Sequence, residues 1–281
     1  MTDHVGRAEG PESWVVLVTG ASSGIGRACA DLLARNGFTV YGGSRSTGEG
    51  PTDAGWTSLS MDVRDDASVA GAVARVVADA GRLDAVVNNA GFGIAGAVED
   101  TTVEEVLDLF QTNFFGALRV CRAVLPYFRA RGAGTIVNVS SLGGRIGLPF
   151  QGLYSASKFA LEGMTEALRM EAKPLGIKVV LIEPGDTRTG FTAHRRRTAA
   201  SVTNDAYRER FARALRRIER DEQAGEDPAA VARLVLRVLR HPAPRLRYTV
   251  GNPIQRLAVH ARAVLPGRLF EWGIMRYYGV Y

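Results

Sequence analysis

The 281-residue sequence predicts an α/β fold: a doubly wound parallel sheet in three α/β/α layers, with a helical C-terminal extension. Three observations carry the prediction. Short apolar runs alternate with segments of helical period as far as Gly190. A glycine-rich turn stands where the first run meets the first helical segment. No internal repeat or low-complexity linker divides the chain, so one large domain accommodates the pattern.

The elements follow in order. Residues 1–12 hold Gly6, Gly10 and Pro11 without periodicity and read as a flexible N-terminal tail. Trp14 to Thr19 is a short apolar run stopping at Gly20, a buried strand. Gly24 to Asn36 has helical spacing and stops at Gly37. Phe38 to Tyr41 and Trp56 to Met61 are the second and third strands. Asp65 to Ala80 is helical, with Gly81 suited to the left-handed position past its last turn. Leu83 to Val87 is a fourth strand. From Thr101 one long helical region runs towards Arg131, with Glu104 and Glu105 in its first turn, where the helix dipole favours them. Thr135 to Val139 is the fifth strand, Gln151 to Lys173 a helix and Lys178 to Ile182 the sixth strand. Beyond Gly190 come a basic cluster, His194 to Arg197, and a helix rich in Arg and Glu from Asn204 to Gln223. Asp227 and Pro228 open a helix running to about Arg240, and Arg245 to Val250 forms a last strand. Pro253 to Tyr281 is amphipathic.

Composition narrows the class. Apolar residues make up 46% and charged residues 23%, which excludes extensive disorder. No run approaches the ~18 apolar residues of a membrane span, and Met1 to Glu12 lacks a signal-peptide core. Cys29 and Cys121 stand singly, without a CxxC pair, so a reducing cytoplasm is the expected compartment. The net charge is +6, but it is scattered rather than striped, which ranks nucleic-acid binding last. Only three of the 35 basic residues are lysines: Lys158, Lys173 and Lys178. The arginine bias makes each lysine worth scrutiny, because some chemistry needs an amine rather than a guanidinium.

Thr19-Gly-Ala-Ser-Ser-Gly-Ile-Gly26 spans a strand–turn–helix junction. Its glycines permit a tight turn and let backbone N–H groups approach a pyrophosphate at the helix N-terminus. The spacing is Gly-x-x-x-Gly-x-Gly, and the segment resembles that of the short-chain dehydrogenase/reductase family. Asn88-Asn-Ala-Gly91 after the fourth strand and Asp62-Val63 after the third extend the resemblance, which covers about Trp14 to Thr192. It implies a single Rossmann-type catalytic domain over residues 13–250, with a mobile substrate lid at about 191–225 and an extension at 251–281. It also implies cofactor contacts from Gly20, Ser22, Ser23, Gly24, Ile25 and Gly26, from Asp62 and Val63 on the adenine, and from Asn89, Ala90 and Gly91. Pro184-Gly185 with Thr187 and Thr189 is similar to the family's loop along the nicotinamide. Asp186, between them, has no assigned role.

Relatives that prefer NAD carry an Asp at the end of the second strand. Eighteen residues past Gly26 stands Ser44, followed by Arg45. A hydroxyl and a guanidinium bind a 2′-phosphate that a carboxylate would repel, so NADP(H) is the expected cofactor.

Tyr154 and Lys158, four apart in a helical stretch, share a face. With Ser141 thirteen residues earlier and Asn113 in the long helix, they match the family's Asn–Ser–Tyr–Lys tetrad. Hydride delivery to a ketone develops alkoxide charge, and an acid must protonate it. Tyrosine's ordinary pKa of about 10 is high for that task, and a nearby ammonium lowers it. The resemblance gives Lys158 that role together with the ribose hydroxyls. It makes Ser141 a donor to the carbonyl and Asn113 the holder of a relay water. None of His4, His194, His241 or His260 joins this constellation, so no metal is expected.

Residues 141–168 look like the branch holding 17β-hydroxysteroid and retinol-type dehydrogenases. Gly143, Leu148, Pro149 and Phe150 are the candidate substrate-pocket residues. They point to an apolar ketone or secondary alcohol of medium to large size, such as a steroid or polyketide-like ring system, with reduction favoured. The amphipathic tail has four uses open to it: covering a partner in a homodimer or homotetramer, closing over the pocket, touching a membrane surface, or packing on its own domain. The competing reading is a catalytically silent NADP(H)-binding sensor, which has no need of an acid.

Overall fold

A computed structural model describes residues 13–46 and 48–281; the expected N-terminal tail, residues 1–12, lies outside the described residues. In chain order the first elements are β1 Val15–Thr19, α1 Gly24–Arg35, β2 Thr39–Ser44, β3 Gly50–Pro51, β4 Thr57–Ser60, α2 Asp66–Ala80, β5 Ala85–Asn88 and β6 Ile94–Ala95. Next come α3 Val103–Asn113, α4 Phe115–Arg131, β7 Gly134–Val139, α5 Gly152–Ala172 and β8 Ile177–Pro184. The segment expected to serve as a lid holds α6 Phe191–His194, β9 Arg196–Arg197, α7 Ala199–Thr203 and α8 Arg208–Gln223. The chain continues through α9 Pro228–Arg240, β10 Arg247–Val250, α10 Pro253–Val264 and α11 Gly267–Tyr278.

Eight strands form one sheet in the order β10-β8-β7-β5-β1-β2-β4-β3, parallel throughout except for the short β3 against β4. The chain winds outward in both directions from β1, which leaves a crevice at the carboxyl ends of the strands where the direction switches. Alternation along β1 shows how both faces fill. Val15 and Leu17 pack with Val73, Val120 and Phe128 in one layer, built on α2, α4 and α5. Val16 and Val18 pack with Cys29, Leu33, Val231 and Val235 in the other, built on α1 and α9. Truncating a fully buried side chain such as Leu33 or Phe128 costs about 2–5 kcal/mol. Each layer encloses one cysteine, and burial pushes both thiols up to about 12. Neither is a nucleophile at neutral pH.

Helix ends follow local chemistry. Asp65 accepts from the Ser68 N–H at 2.7 Å, and Gly81 closes α2 in the left-handed region. Thr102 and Glu105 form a capping box, so α3 starts just past Thr101. The expected single helix from Thr101 to Arg131 is two helices, broken at Phe114. The Asn113 side chain reaches across to the Phe92 backbone and draws the end of α3 towards the sheet. The helix expected from Asn204 begins at Arg208, because the Asn204 side chain bonds Ala206 N–H and Asp100 instead of continuing the turn. The tail is two helices, with Leu265 and Pro266 between them; the proline cannot continue the first. Among the described residues, no helix is long and apolar enough to cross a membrane.

Candidate active site

The crevice is a cleft of about 1010 Å³ along the carboxyl ends of β1, β2, β4, β5, β7 and β8. At its first turn Gly20 has φ 67°, and a side chain there would stand 2.9 Å from the Ala90 Cα. Gly26 is packed still more closely, 2.2 Å from the Gly20 carbonyl for an added Cβ. Gly26 therefore closes the turn from behind, while Gly20, Ser22, Ser23, Gly24 and Ile25 line the cleft. Ser23 caps α1 without a side-chain bond, and no acidic residue sits in its first turn, so the positive end of the helix dipole points at the cleft.

Asn89, Ala90 and Gly91 line the next stretch. Thr19, the last residue of β1, stitches this loop to the strand. Its hydroxyl accepts the N–H groups of Asn89 and Ala90, each at 3.0 Å, and its carbonyl accepts the Asn89 amide at 3.1 Å.

Ser44, Arg45, Asp62 and Val63 form the far wall, and no carboxylate stands at the end of β2. The Asp62 carboxylate pairs with Arg64 at 2.9 Å. That guanidinium, helped by Arg45, holds its carboxyl below the usual range. Pro184, Gly185, Thr187 and Thr189 line the opposite side, with Thr189 beneath Gly24. The glycine turn that side chains would fill, the open helix end and the two arginines fit a dinucleotide. Gly20 to Ile25 would hold its pyrophosphate, and Ser44 and Arg45 its adenosine end.

Tyr154 and Lys158 sit one turn apart on α5, both buried. Ser141, just past β7, accepts the Gly143 N–H at 3.0 Å, which leaves its own proton to bond the Tyr154 hydroxyl. Lys158 Nζ donates to the Val139 carbonyl at 2.9 Å. Burial pulls this ammonium down to about 8, opposed by Glu162. Burial pushes the Tyr154 hydroxyl up to about 12, opposed by Ser141. The expected lowering of Tyr154 by Lys158 is not found: desolvation dominates, Ser141 opposes it, and Tyr154 stands protonated, as a proton donor must.

Asn113 does not line the cleft. Its side chain accepts from Phe92 N–H and donates to Phe92 O, each at 3.0 Å, and donates to Ser157 Oγ at 3.2 Å. These bonds position the loop after Gly91 from behind.

Gly143 and Leu148 lie on the substrate side of the cleft; Pro149 and Phe150 do not. Phe150 has φ 59°, the one positive value outside glycine among the described residues. That backbone turns its ring away, onto Phe211 of α8 at 5.5 Å and Tyr207 just before it at 6.3 Å. The missing apolar wall comes from the tail: Ala258, Leu265, Leu269, Phe270 and Ile274 line the same cleft. Tyr277 anchors α11 to α8 by donating to Asp221 at 2.7 Å, beneath the Arg217 guanidinium.

Three carboxylates, Asp186, Asp221 and Glu222, also line this end. Gln255 of α10 accepts the Asp186 backbone N–H at 3.1 Å and donates to its carboxylate. Burial nevertheless pushes Asp186 up to about 6. Sequence singled out Asp186 without a role and missed Gln255; only the amphipathic period of the tail hinted that one of its faces is covered.

Residues 14–200 match a family model described as short chain dehydrogenase. The chain is similar to the 3-ketodihydrosphingosine reductase of Bacteroides thetaiotaomicron, 41% identical over 95% of this chain and 98% of that protein. A crystal structure of a short-chain dehydrogenase from Streptomyces avermitilis superposes with a TM-score of 0.77 at 36% identity, covering 93% of this chain and 97% of that one. The 3-ketoacyl-(acyl-carrier-protein) reductase of Brucella melitensis, solved with NADH, gives a TM-score of 0.70 at 25% identity, over 85% of this chain and 97% of that one.

Proposed function

The chain belongs to the short-chain dehydrogenase family of oxidoreductases, and on that premise we propose that it is an NADP(H)-dependent reductase of long-chain amphiphilic ketones. The observation that carries the reading is the Tyr154–Ser141 pair at the inner end of a cleft whose outer wall is apolar and built by α10 and α11.

A bound nicotinamide dinucleotide supplies the hydride. With a ketone bound, Ser141 turns its one proton from Tyr154 to the carbonyl oxygen and orients it. Tyr154, protonated at neutral pH, gives its proton to that oxygen as negative charge develops. The Lys158 ammonium, close behind on the same helix face, favours the phenolate left after transfer. Ser44 and Arg45 support NADP(H), because a 2′-phosphate gains charge-assisted bonds there and meets no carboxylate at the end of β2.

Two features favour a chain over the ring system that residues 141–168 alone suggest. Leu265, Leu269 and Ile274 extend the apolar wall along the tail. Asp221 and Glu222 are paired with Arg217 and Arg195, which leaves Asp186 as the carboxylate at the same end without an arginine partner among the described residues, a net negative charge that favours a cation over a carboxylate. The Bacteroides relative is named for 3-ketodihydrosphingosine, a long-chain 2-amino ketone that would suit both.

The test is NADPH oxidation with long-chain 2-amino ketones, their deaminated analogues and cyclic ketones, with NADH as the cofactor control. The amino ketone should give the highest kcat/KM, and Tyr154→Phe should lower kcat by about 10²–10⁴ while NADPH still binds. A cyclic ketone turned over best would overturn the substrate assignment. NADPH binding without oxidation of any ketone would favour a sensor.

A further inference from the structure

Eight of the fifteen large exposed hydrophobic side chains among the described residues lie in α10, α11 and the few residues around them. Ile254, Leu257 and Val264 are 70%, 67% and 80% exposed, and with Ala261 they follow the i, i+3, i+7, i+10 spacing of one face of α10. On α11, Arg268, Trp272 and Arg276 are spaced by four and share a face; Trp272 is 58% exposed, with the Arg276 guanidinium 6.0 Å from its ring. Ile254, Leu265 and Leu269 both line the cleft and face solvent, so this face surrounds the mouth of the cleft.

We infer that α10 and α11 form a docking surface for an anionic lipid bilayer, with the mouth of the cleft turned towards the lipid. A scattered exposed Leu needs no explanation, whereas an exposed apolar helix face followed by a helix that carries an exposed tryptophan between arginines is the pattern of an interfacial helix pair. The exposed charge of the segment is complementary to anionic headgroups: residues 251–281 carry four arginines, of which Arg262 is engaged with the Arg145 carbonyl and Phe159, and a single carboxylate, Glu271, while Asp186, Asp221 and Glu222 lie within the cleft and none of them is exposed. A second copy is the poorer occupant. A two-fold contact brings two copies of the same patch together, so this one would set two net-positive segments against each other. Docking rests on exposure and charge alone; only its use, letting an amphiphilic ketone slide from the bilayer into the cleft, rests on the proposed function.

The experiment is co-sedimentation of the full chain with phosphatidylcholine vesicles, with and without phosphatidylglycerol. Binding should need the anionic lipid, weaken in high salt and fall at least about tenfold in the triple variant L257Q/V264Q/W272Q. None of these three residues lines the cleft, so the variant should reduce a short, water-soluble ketone at the wild-type rate. Equal binding by wild type and variant, or none by either, overturns the inference. So does a variant that turns a dimer into a monomer without changing vesicle binding, which would assign the face to a second copy. Binding is read without turnover, so a failure of the substrate assignment would leave it standing.

Discussion

Gln255 grips Asp186 from both sides: its side-chain oxygen takes the Asp186 backbone N–H at 3.1 Å, and its amide donates to the Asp186 carboxylate. The contact ties the tail to the loop that follows β8, across 69 residues of sequence. Replacing Gln255 with Leu removes both bonds and leaves a buried carboxylate unsatisfied. The expected outcome is a KM for the ketone raised about tenfold with a smaller change in kcat, because the apolar wall loosens while Tyr154 stays in place. Steady-state kinetics on the variant check this, and an unchanged KM would show that the tail holds its position without the latch.

Asp186 itself makes stability depend on pH. Burial raises it from 3.8 to about 6, with Gln255 opposing, so between those values the folded chain holds a proton that the unfolded chain releases. Stability is therefore lost as pH rises through that window, and the charged Asp186 is a net cost above it. Asp186→Asn keeps an oxygen for Gln255 and removes the cost. Its melting temperature should exceed the wild type's by a few degrees at pH 7.5, a gain of up to about 2 kcal/mol. The gap should close as pH falls towards 4, and a constant gap would remove Asp186 as its source.

Lys158 separates activity from stability. Its ammonium, pulled from 10.5 to about 8 by burial, discharges in mildly alkaline solution. Loss of that charge should lower kcat/KM roughly tenfold per pH unit above about 8. The folded state binds fewer protons than the unfolded chain between about 8 and 10.5, so the cost of burying this ammonium is relieved over the same range. Activity should thus fall while the Lys158 contribution to stability rises. Lys158→Arg should flatten the alkaline limb at a low kcat; a limb that survives in the arginine variant would assign it to another group.

Cofactor choice is tested at Arg45. Arg45→Ala should raise the KM for NADPH by about 10- to 100-fold, the worth of a charge-assisted bond, and leave that for NADH within about twofold. Equal losses for the two cofactors would refute the 2′-phosphate assignment.

The strand ends were legible in the sequence because β1, β5 and β7 are buried on both faces and read as unbroken apolar runs. Parallel connection then brings their carboxyl ends together, which is why Gly20, Asn89, Ser141 and Tyr154 converge on one cleft. The features that escaped depend on distant partners. Asn113 ends α3 by bonding Phe92, 21 residues away, and nothing local to Phe114 announces a break. Pro149 and Phe150 have the composition of a pocket wall, but a left-handed backbone at Phe150 sends its ring to Phe211 of α8. Periodicity in the tail predicted a covered face, and only the fold shows that it covers the cleft.

Arg247 reaches from β10, the outermost parallel strand, to Glu162 at 2.9 Å, Glu166 at 2.8 Å and the fully buried Glu183 at 3.2 Å. Glu162 bears directly on the Lys158 ammonium. An edge strand opens locally before the sheet unfolds. When β10 detaches, Glu162 loses its counter-ion, and the proton affinity of Lys158 changes while the fold persists. In mild denaturant the alkaline limb of the activity profile should move before any secondary structure is lost. Backbone amides of β10 should exchange with solvent on the same denaturant dependence, which makes the rim of the sheet a gauge of the acid–base centre inside it.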